Sequence, residues 1–238
     1  MKAVRSCATL LAALSMTVPV LSHAQYRPTG TRIGRPTPAS PSDQVGLSAE
    51  DRGMRTTNAY AECLVGRHDA AIRTMMVLER RELSDRDKRL LSDSECIFSG
   101  QLQMPIEIIR GSIFRTLFFK DYAEKDILFA EQPVNYSEYY QPESETNIAY
   151  FLLDFASCVV RKDTDNALAF IYSEAGEDES DAALQALIPE LGPCIPEGQD
   201  LQFSESILRA YFSEAFYWES RKGLEAAEPQ AVPRELTN

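Results

Sequence analysis

Ala61-Glu62-Cys63-Leu64-Val65 is echoed by Ala156-Ser157-Cys158-Val159-Val160. Cys96 is followed four residues on by Gly100-Gln101, and Cys194 by Gly198-Gln199. Ile109-Arg110-Gly111 returns as Leu208-Arg209-Ala210. The three stretches recur in the same order, so the chain reads as one module used twice, each copy with its own cysteine pair. This reading describes an architecture and names no reaction.

Within each copy the apolar period is helical. Ala59, Cys63 and Leu64 share a face, and Ile72, Met75 and Met76 continue beyond Gly66, which is expected to interrupt the helix. Ser84-Asp85-Arg86-Asp87 reads as a helix start, with a capping hydroxyl and acids in the positive first turn. Ile106, Ile109, Ile113 and Leu117 form a stripe after Pro105, which suits a first helical turn. In the second copy Ile148, Leu152, Phe155 and Val159 form one stripe, and Ala167 to Ile171 make the next short helix. Asp181 leads into a helix over 182–191 that Gly192-Pro193 should stop. Ile207, Leu208, Tyr211, Phe212, Ala215 and Phe216 belong to the last helix, with Trp218 as core at its end. Leu102-Gln103-Met104 and Leu201-Gln202-Phe203 are candidates for a short extended pair, and no alternating run is long enough for a central sheet. The expected class is all-α: two tandem, related, disulfide-bearing modules of about four helices each.

Lys2 and Arg5, the 14-residue apolar run 8–21 and Ser22-His23-Ala24 read as a secretory signal cut after Ala24. The run is short of the roughly 20 residues that span a bilayer, and no later stretch is apolar enough for an integral membrane segment. Cleavage removes two of the 24 basic residues and none of the 36 acidic ones, leaving 22 against 36 and a formal charge of −14. That excess argues against a nucleic-acid partner. Residues 25–55 read as a disordered Pro/Gly-rich leader, made locally basic by Arg27, Arg32 and Arg35. Module 1 then spans 56–122, a connector 123–147, module 2 148–221 and a flexible tail 222–238. Some 170 folded residues suffice for one core, or for two small cores that share an interface.

Loss of Cys7 with the signal leaves Cys63, Cys96, Cys158 and Cys194, which admit three pairings. Cys63–Cys96 and Cys158–Cys194 are expected, because a duplicated module inherits an internal bond and export supplies an oxidising setting. Each bond would contribute about 3–4 kcal/mol through loop entropy. Zinc is not called for, since the short Cys-x-x-Cys pairs of structural sites are missing.

The combination Ala-x-Cys-(Leu/Val)-Val-x-(Arg/Lys), then Cys-x-x-x-Gly-Gln, then a helix with arginine and aromatics resembles a family of exported alphaproteobacterial proteins that repeat a two-cysteine helical module. The resemblance covers about residues 56–122 and 148–218 and places Arg67 and Lys162 near Cys63 and Cys158. It implies the duplicated architecture and transfers no catalytic residue. Arg115-Thr116 facing Glu214-Ala215 departs from the repeat.

No catalytic constellation is present in the sequence. His68 is the sole histidine after cleavage and reads as a solvated or dipole-facing residue near a helix end. Glu174, Glu177, Asp178, Glu179 and Asp181 form an acidic cluster without the ligand order of a calcium loop. Tyr136, Tyr139 and Tyr140 in the connector are expected to pack it onto the helices. Arg110 and Arg209 recur at equivalent helical positions, either to bind an acidic ligand group or to fix helix packing by ion pairs. No phosphate loop or dinucleotide fingerprint appears, so no cofactor is expected. The leading reading is a periplasmic or secreted, non-enzymatic scaffold or binding module for an envelope protein or polymer. Its competitors are a carboxylate-dependent envelope hydrolase, motivated by the acidic cluster, and a folding factor or inhibitor for another exported protein.

Overall fold

A computed structural model of the chain describes residues 46–77, 84–97, 103–122, 125, 127–136, 148–196 and 202–227. Among the described residues there are seven α-helices and no strand. The first echoed span holds α1 (Ala49–Val77), α2 (Asp85–Leu90) and α3 (Ile106–Tyr122); the second holds α4 (Ile148–Lys162), α5 (Thr164–Tyr172), α6 (Asp178–Leu191) and α7 (Glu205–Ala227). Two 3₁₀ turns, Ser94–Cys96 and Gly192–Cys194, carry the second cysteine of each span. The disulfides are Cys63–Cys96 and Cys158–Cys194, with Cα atoms 5.5 and 5.7 Å apart.

Several boundaries differ from the sequence reading, each for a local reason. Helix α1 begins at Ala49, inside the expected leader, because Ser48 and Asp51 close a reciprocal cap: Asp51 N donates to Ser48 Oγ (3.0 Å) and Ser48 N to Asp51 Oδ2 (3.2 Å). The same device starts α2, where Ser84 and Asp87 cap each other. The run Ala49–Val77 is two helical segments that meet at His68 (φ −131, ψ 30), rather than at Gly66, so with α2 and α3 the first span has four helical segments, as expected. Its buried stripe is Tyr60, Ala61, Leu64 and Val65; Ala59 is exposed. Helix α6 begins at Asp178, with Asp178, Glu179 and Asp181 in its electropositive first turn. Gly192 stays right-handed (φ −55), and the chain tightens into a 3₁₀ turn instead of taking a left-handed cap. Helix α7 runs on to Ala227, past the expected start of the tail. Its Gly223 lies under the connector, where a Cβ would stand 1.8 Å from the Leu128 carbonyl oxygen. Of the proposed extended pair, Leu102 and Leu201 lie outside the described residues, and Gln103-Met104 and Gln202-Phe203 are not strand.

The two spans share one core. Leu64 and Ile72 of α1, Phe114 and Phe118 of α3, Leu153 and Val159 of α4, Phe170 of α5, Leu187 of α6, and Phe212 and Trp218 of α7 belong to a single buried apolar cluster. Helices α3 and α7 make the most extensive contact, α1 covers α3, and α4 covers α7. The partners run in the same direction. Ser112 meets Asn58, and Arg115 lies 3.8 Å from Glu62, along α3 and the part of α1 before His68. Between α3 and α7, Gly111 meets Ala210, and Phe118 meets Phe216 with ring centroids 5.3 Å apart. Helix α7 is buried all round from Leu208 to Ser220, including Arg209, Glu214 and Glu219.

At the α3–α7 crossing a Cβ on Gly111 would lie 2.3 Å from the Ala210 Cα and 2.8 Å from its carbonyl oxygen. Glycine in a helix interior costs about 1 kcal/mol relative to alanine, and here the close approach requires it. Gly111→Ala should therefore destabilise the protein by about 2–3 kcal/mol despite its better helix propensity, read from the denaturant midpoint. A gain in stability would show that the helices do not meet at this point.

Candidate functional site

Arg110 lies on α3 facing α7 and the end of α1, Arg209 lies on α7 facing α5 and α6, and both guanidinium groups are engaged by protein acceptors. Arg110 Nη2 donates to Glu214 Oε1 (2.8 Å) and to the Met76 carbonyl (3.3 Å), and its Nε donates to Glu214 Oε2 (3.0 Å). The group stacks 4.7 Å from the centre of the Phe114 ring. Arg209, 1 % exposed, donates to the carbonyls of Phe170 and Ser173, to Ser180 Oγ and to Glu205 Oε1. Burial pushes its pKa below the ordinary arginine value, while the Glu205 hydrogen bond works the other way.

Arg115 is a third member that the sequence reading treated only as a mismatch with Glu214. Its Nε donates to the Ile171 carbonyl (2.7 Å) and its Nη2 to Tyr172 O (3.2 Å) and Glu174 Oε1 (3.1 Å). Arg115 and Arg209 thus share the carbonyl end of α5, where the helix dipole and unpaired C=O groups favour cations. The acidic cluster is partly consumed in the same way: Glu174 faces Arg115, and Glu177 lies 3.7 Å from Arg55.

The connector is held by a carboxylate that sequence reasoning missed. Glu219, fully buried, accepts from Val134 N (3.1 Å), Arg161 Nη1 (2.7 Å) and Ser157 Oγ. Arg161 Nη2 also donates to Ala130 O (2.7 Å). An acid inside the aromatic run Phe212–Trp218-Glu219 was the available signal. Tyr136 is buried in the core, whereas Tyr139 and Tyr140 lie outside the described residues. Trp218 is core, at 1 % exposure.

His68 is paired rather than solvated: its Nε2 is 2.7 Å from Asp93 Oδ2, and Arg67 Nε donates to the same oxygen at 3.1 Å. The His68 hydrogen bond, the Glu95 backbone N–H and Arg67 together hold the Asp93 carboxyl below the usual range, with burial opposing them. Tyr60 Oη donates to Leu91 O (2.6 Å), and burial, helped by the Asp93 charge, pushes the phenol up to about 12. Lys162 Nζ lies 3.9 Å from Glu190. Among the described residues no group of histidine, cysteine and acidic side chains is arranged to hold a metal ion.

An open concave feature among the described residues lies elsewhere. The N-terminal ends of α1, α3 and α7 converge on a groove of about 240 Å³ lined by Ala49, Gly53, Met104, Pro105, Ile108 and Ile207, with Glu50, Ser204 and Ser206 on one side. Glu50 Oε1 accepts from Ser206 Oγ (2.6 Å), which places a carboxylate at the start of α7. Ile106, 42 % exposed, directly follows Pro105 of the lining. Apolar walls with few polar groups suit the binding of an apolar side chain or chain segment. No family model, no curated protein and no solved structure matches the chain.

Two outcomes follow from this chemistry. Glu214→Ala leaves the Arg110 guanidinium buried without its carboxylate and should cost about 3–5 kcal/mol, whereas the double change Arg110→Met, Glu214→Leu should recover most of it; denaturant unfolding of the three variants distinguishes them. The Asp93 pKa is depressed, so its stabilisation is present at neutral pH and is lost on the acid side as pH falls through the depressed folded value. Asp93→Asn should remove that part of the acid-side slope in a stability–pH series.

Proposed function

We propose that the chain is an exported, non-enzymatic binding or scaffold protein of the cell envelope. In this reading it is built from a two-cysteine helical module used twice, as in the exported alphaproteobacterial family it resembles. One observation carries the functional part. The buried charges Arg110, Arg115, Arg209, Glu214 and Glu219 are spent on holding helices and connector together, while the open groove is apolar. Such a division suits recognition of another molecule through shape and apolar contact, with an envelope protein or polymer as the partner. Two disulfides and the lack, among the described residues, of a helix long and apolar enough to cross a membrane accord with export.

Duplication is supported by contacts between corresponding positions. Gly111 and Ala210, which match in the echoed stretches, touch each other. His68 and Asp163 each lie five residues past the first cysteine of their span, and the helix breaks at both. Arg110 reaches the end of α1 at Met76, and Arg209 reaches the end of α5 at Phe170. The halves differ at Arg115 and Glu214, so the charge pattern is not duplicated and two equivalent sites are not part of the proposal.

The test is photo-crosslinking in intact cells. A crosslinker at position 106, next in the chain to Pro105 of the groove lining, should trap a specific partner in the periplasmic fraction that a crosslinker at Glu179 on α6 does not. Ile106→Asp should weaken that partner's co-purification several-fold. Trapping no partner above a control exported protein, or finding the chain uncleaved in the cytoplasm, would reject the reading.

A further inference from the structure

Each disulfide has an ion pair one helical turn away that joins the same two segments. Arg67 and Lys162 lie four residues after Cys63 and Cys158, so each shares a helix face with the first cysteine of its span. Arg67 reaches Asp93 at 3.1 Å and Glu95 at 2.5 Å, in and beside the turn that presents Cys96. His68 adds a third contact, to Asp93 at 2.7 Å. In the second span Lys162 faces Glu190, in the last turn of α6 just before Cys194. We propose that these pairs are disulfide-directing clasps. In the reduced chain they hold the first cysteine of each span against the segment carrying the second, so that oxidation joins Cys63 to Cys96 and Cys158 to Cys194 instead of crossing the spans.

The chemistry is thiol–disulfide exchange with a small disulfide as oxidant. One thiolate attacks the oxidant and releases one reduced thiol. The second protein thiolate then displaces the other, so two protein thiols become one disulfide while one oxidant disulfide becomes two thiols. The clasp supplies proximity for the second displacement. The two clasps are unequal. The first has three contacts converging on a segment whose Asp93 side chain is only 15 % exposed. The second has a single contact of 3.9 Å between side chains 43 % and 38 % exposed, and such surface pairs contribute little. Directing power therefore resides mainly in the first span.

Asp93→Asn is the informative variant. Asparagine can keep the cap that Asp93 Oδ1 makes with Glu95 N, and loss of a nearby negative charge would by itself favour thiolate and speed exchange. Slower bonding in this variant can thus be assigned to lost positioning. The full chain is reduced, unfolded and returned to native buffer with oxidised and reduced glutathione, then acid-quenched and peptide-mapped over time. In Asp93→Asn, Cys63–Cys96 should form about five-fold more slowly, the size expected for losing a partly buried charged pair, with cross-span bonds appearing. Cys158–Cys194 should keep its native rate. Arg67→Gln should slow the same bond about two-fold, and Glu190→Gln should change Cys158–Cys194 by less than two-fold. Salt at about 1 M should narrow the difference between the native chain and Asp93→Asn without abolishing it, since the pair is partly buried. Unchanged or faster Cys63–Cys96 formation in Asp93→Asn, or equal slowing of both bonds, would overturn the proposal.

Discussion

Where Gly111 meets Ala210, α3 and α7 approach until backbone touches side chain and backbone, and the layout around them follows from that approach. Two helices this close leave no room between them for side chains at the crossing. Their large residues are displaced along the seam, where Phe114 packs on Tyr217 and Trp218, and Phe118 on Phe216. The outer faces of the pair are then covered by α1 on one side and α4 on the other. Because α1 and α3 run in the same direction as α7, three helix starts gather at one end and frame the apolar groove. The groove is thus a consequence of the parallel packing.

The buried charges serve the same arrangement. A buried ion pair often contributes little net stability against an apolar pair of equal volume. What Arg110 and Glu214 do contribute is register: a bidentate pair is satisfied only when the two side chains meet across one turn of α3 and α7. Arg115 and Arg209 perform a related task at the carbonyl end of α5, and Glu219 ties the connector to α4 and α7. Each group faces acceptors or donors from more than one element, so a shifted helix would leave a charge in the core without its partner.

Helical class, cysteine pairing and most buried stripes were legible in the sequence, because period, capping residues and echoed cysteines are local patterns. Ser84 and Asp87 closed their cap as read, and Pro105 stood at the start of α3. The start of α1 was misread because the Ser48–Asp51 cap follows a proline-rich segment that masked it. The break at His68 was misassigned to Gly66, since glycine is the usual local signal and Asp93, His68's partner, lies 25 residues away. The roles of Arg115, Glu214 and Glu219 depend on which helices become neighbours, and nothing local in a sequence states that. The groove was illegible for the same reason: Gly53, Met104, Pro105 and Ile207 are far apart along the chain.

Parallel neighbours also have a consequence for how the chain is made. Adjacent parallel helices cannot be joined by a tight turn, and residues 123–204 separate α3 from α7, its most extensive partner. A chain emerging N-terminus first completes α1 and α3 while the seam that receives α7 still faces solvent. Burial of Phe114 and Phe118, pairing of Arg110 and anchoring of the connector all wait for the final helix. The C-terminal helix is therefore the keystone: the α1–α3 and α4–α5–α6 contacts can form without it, but the seam that joins them into one core cannot.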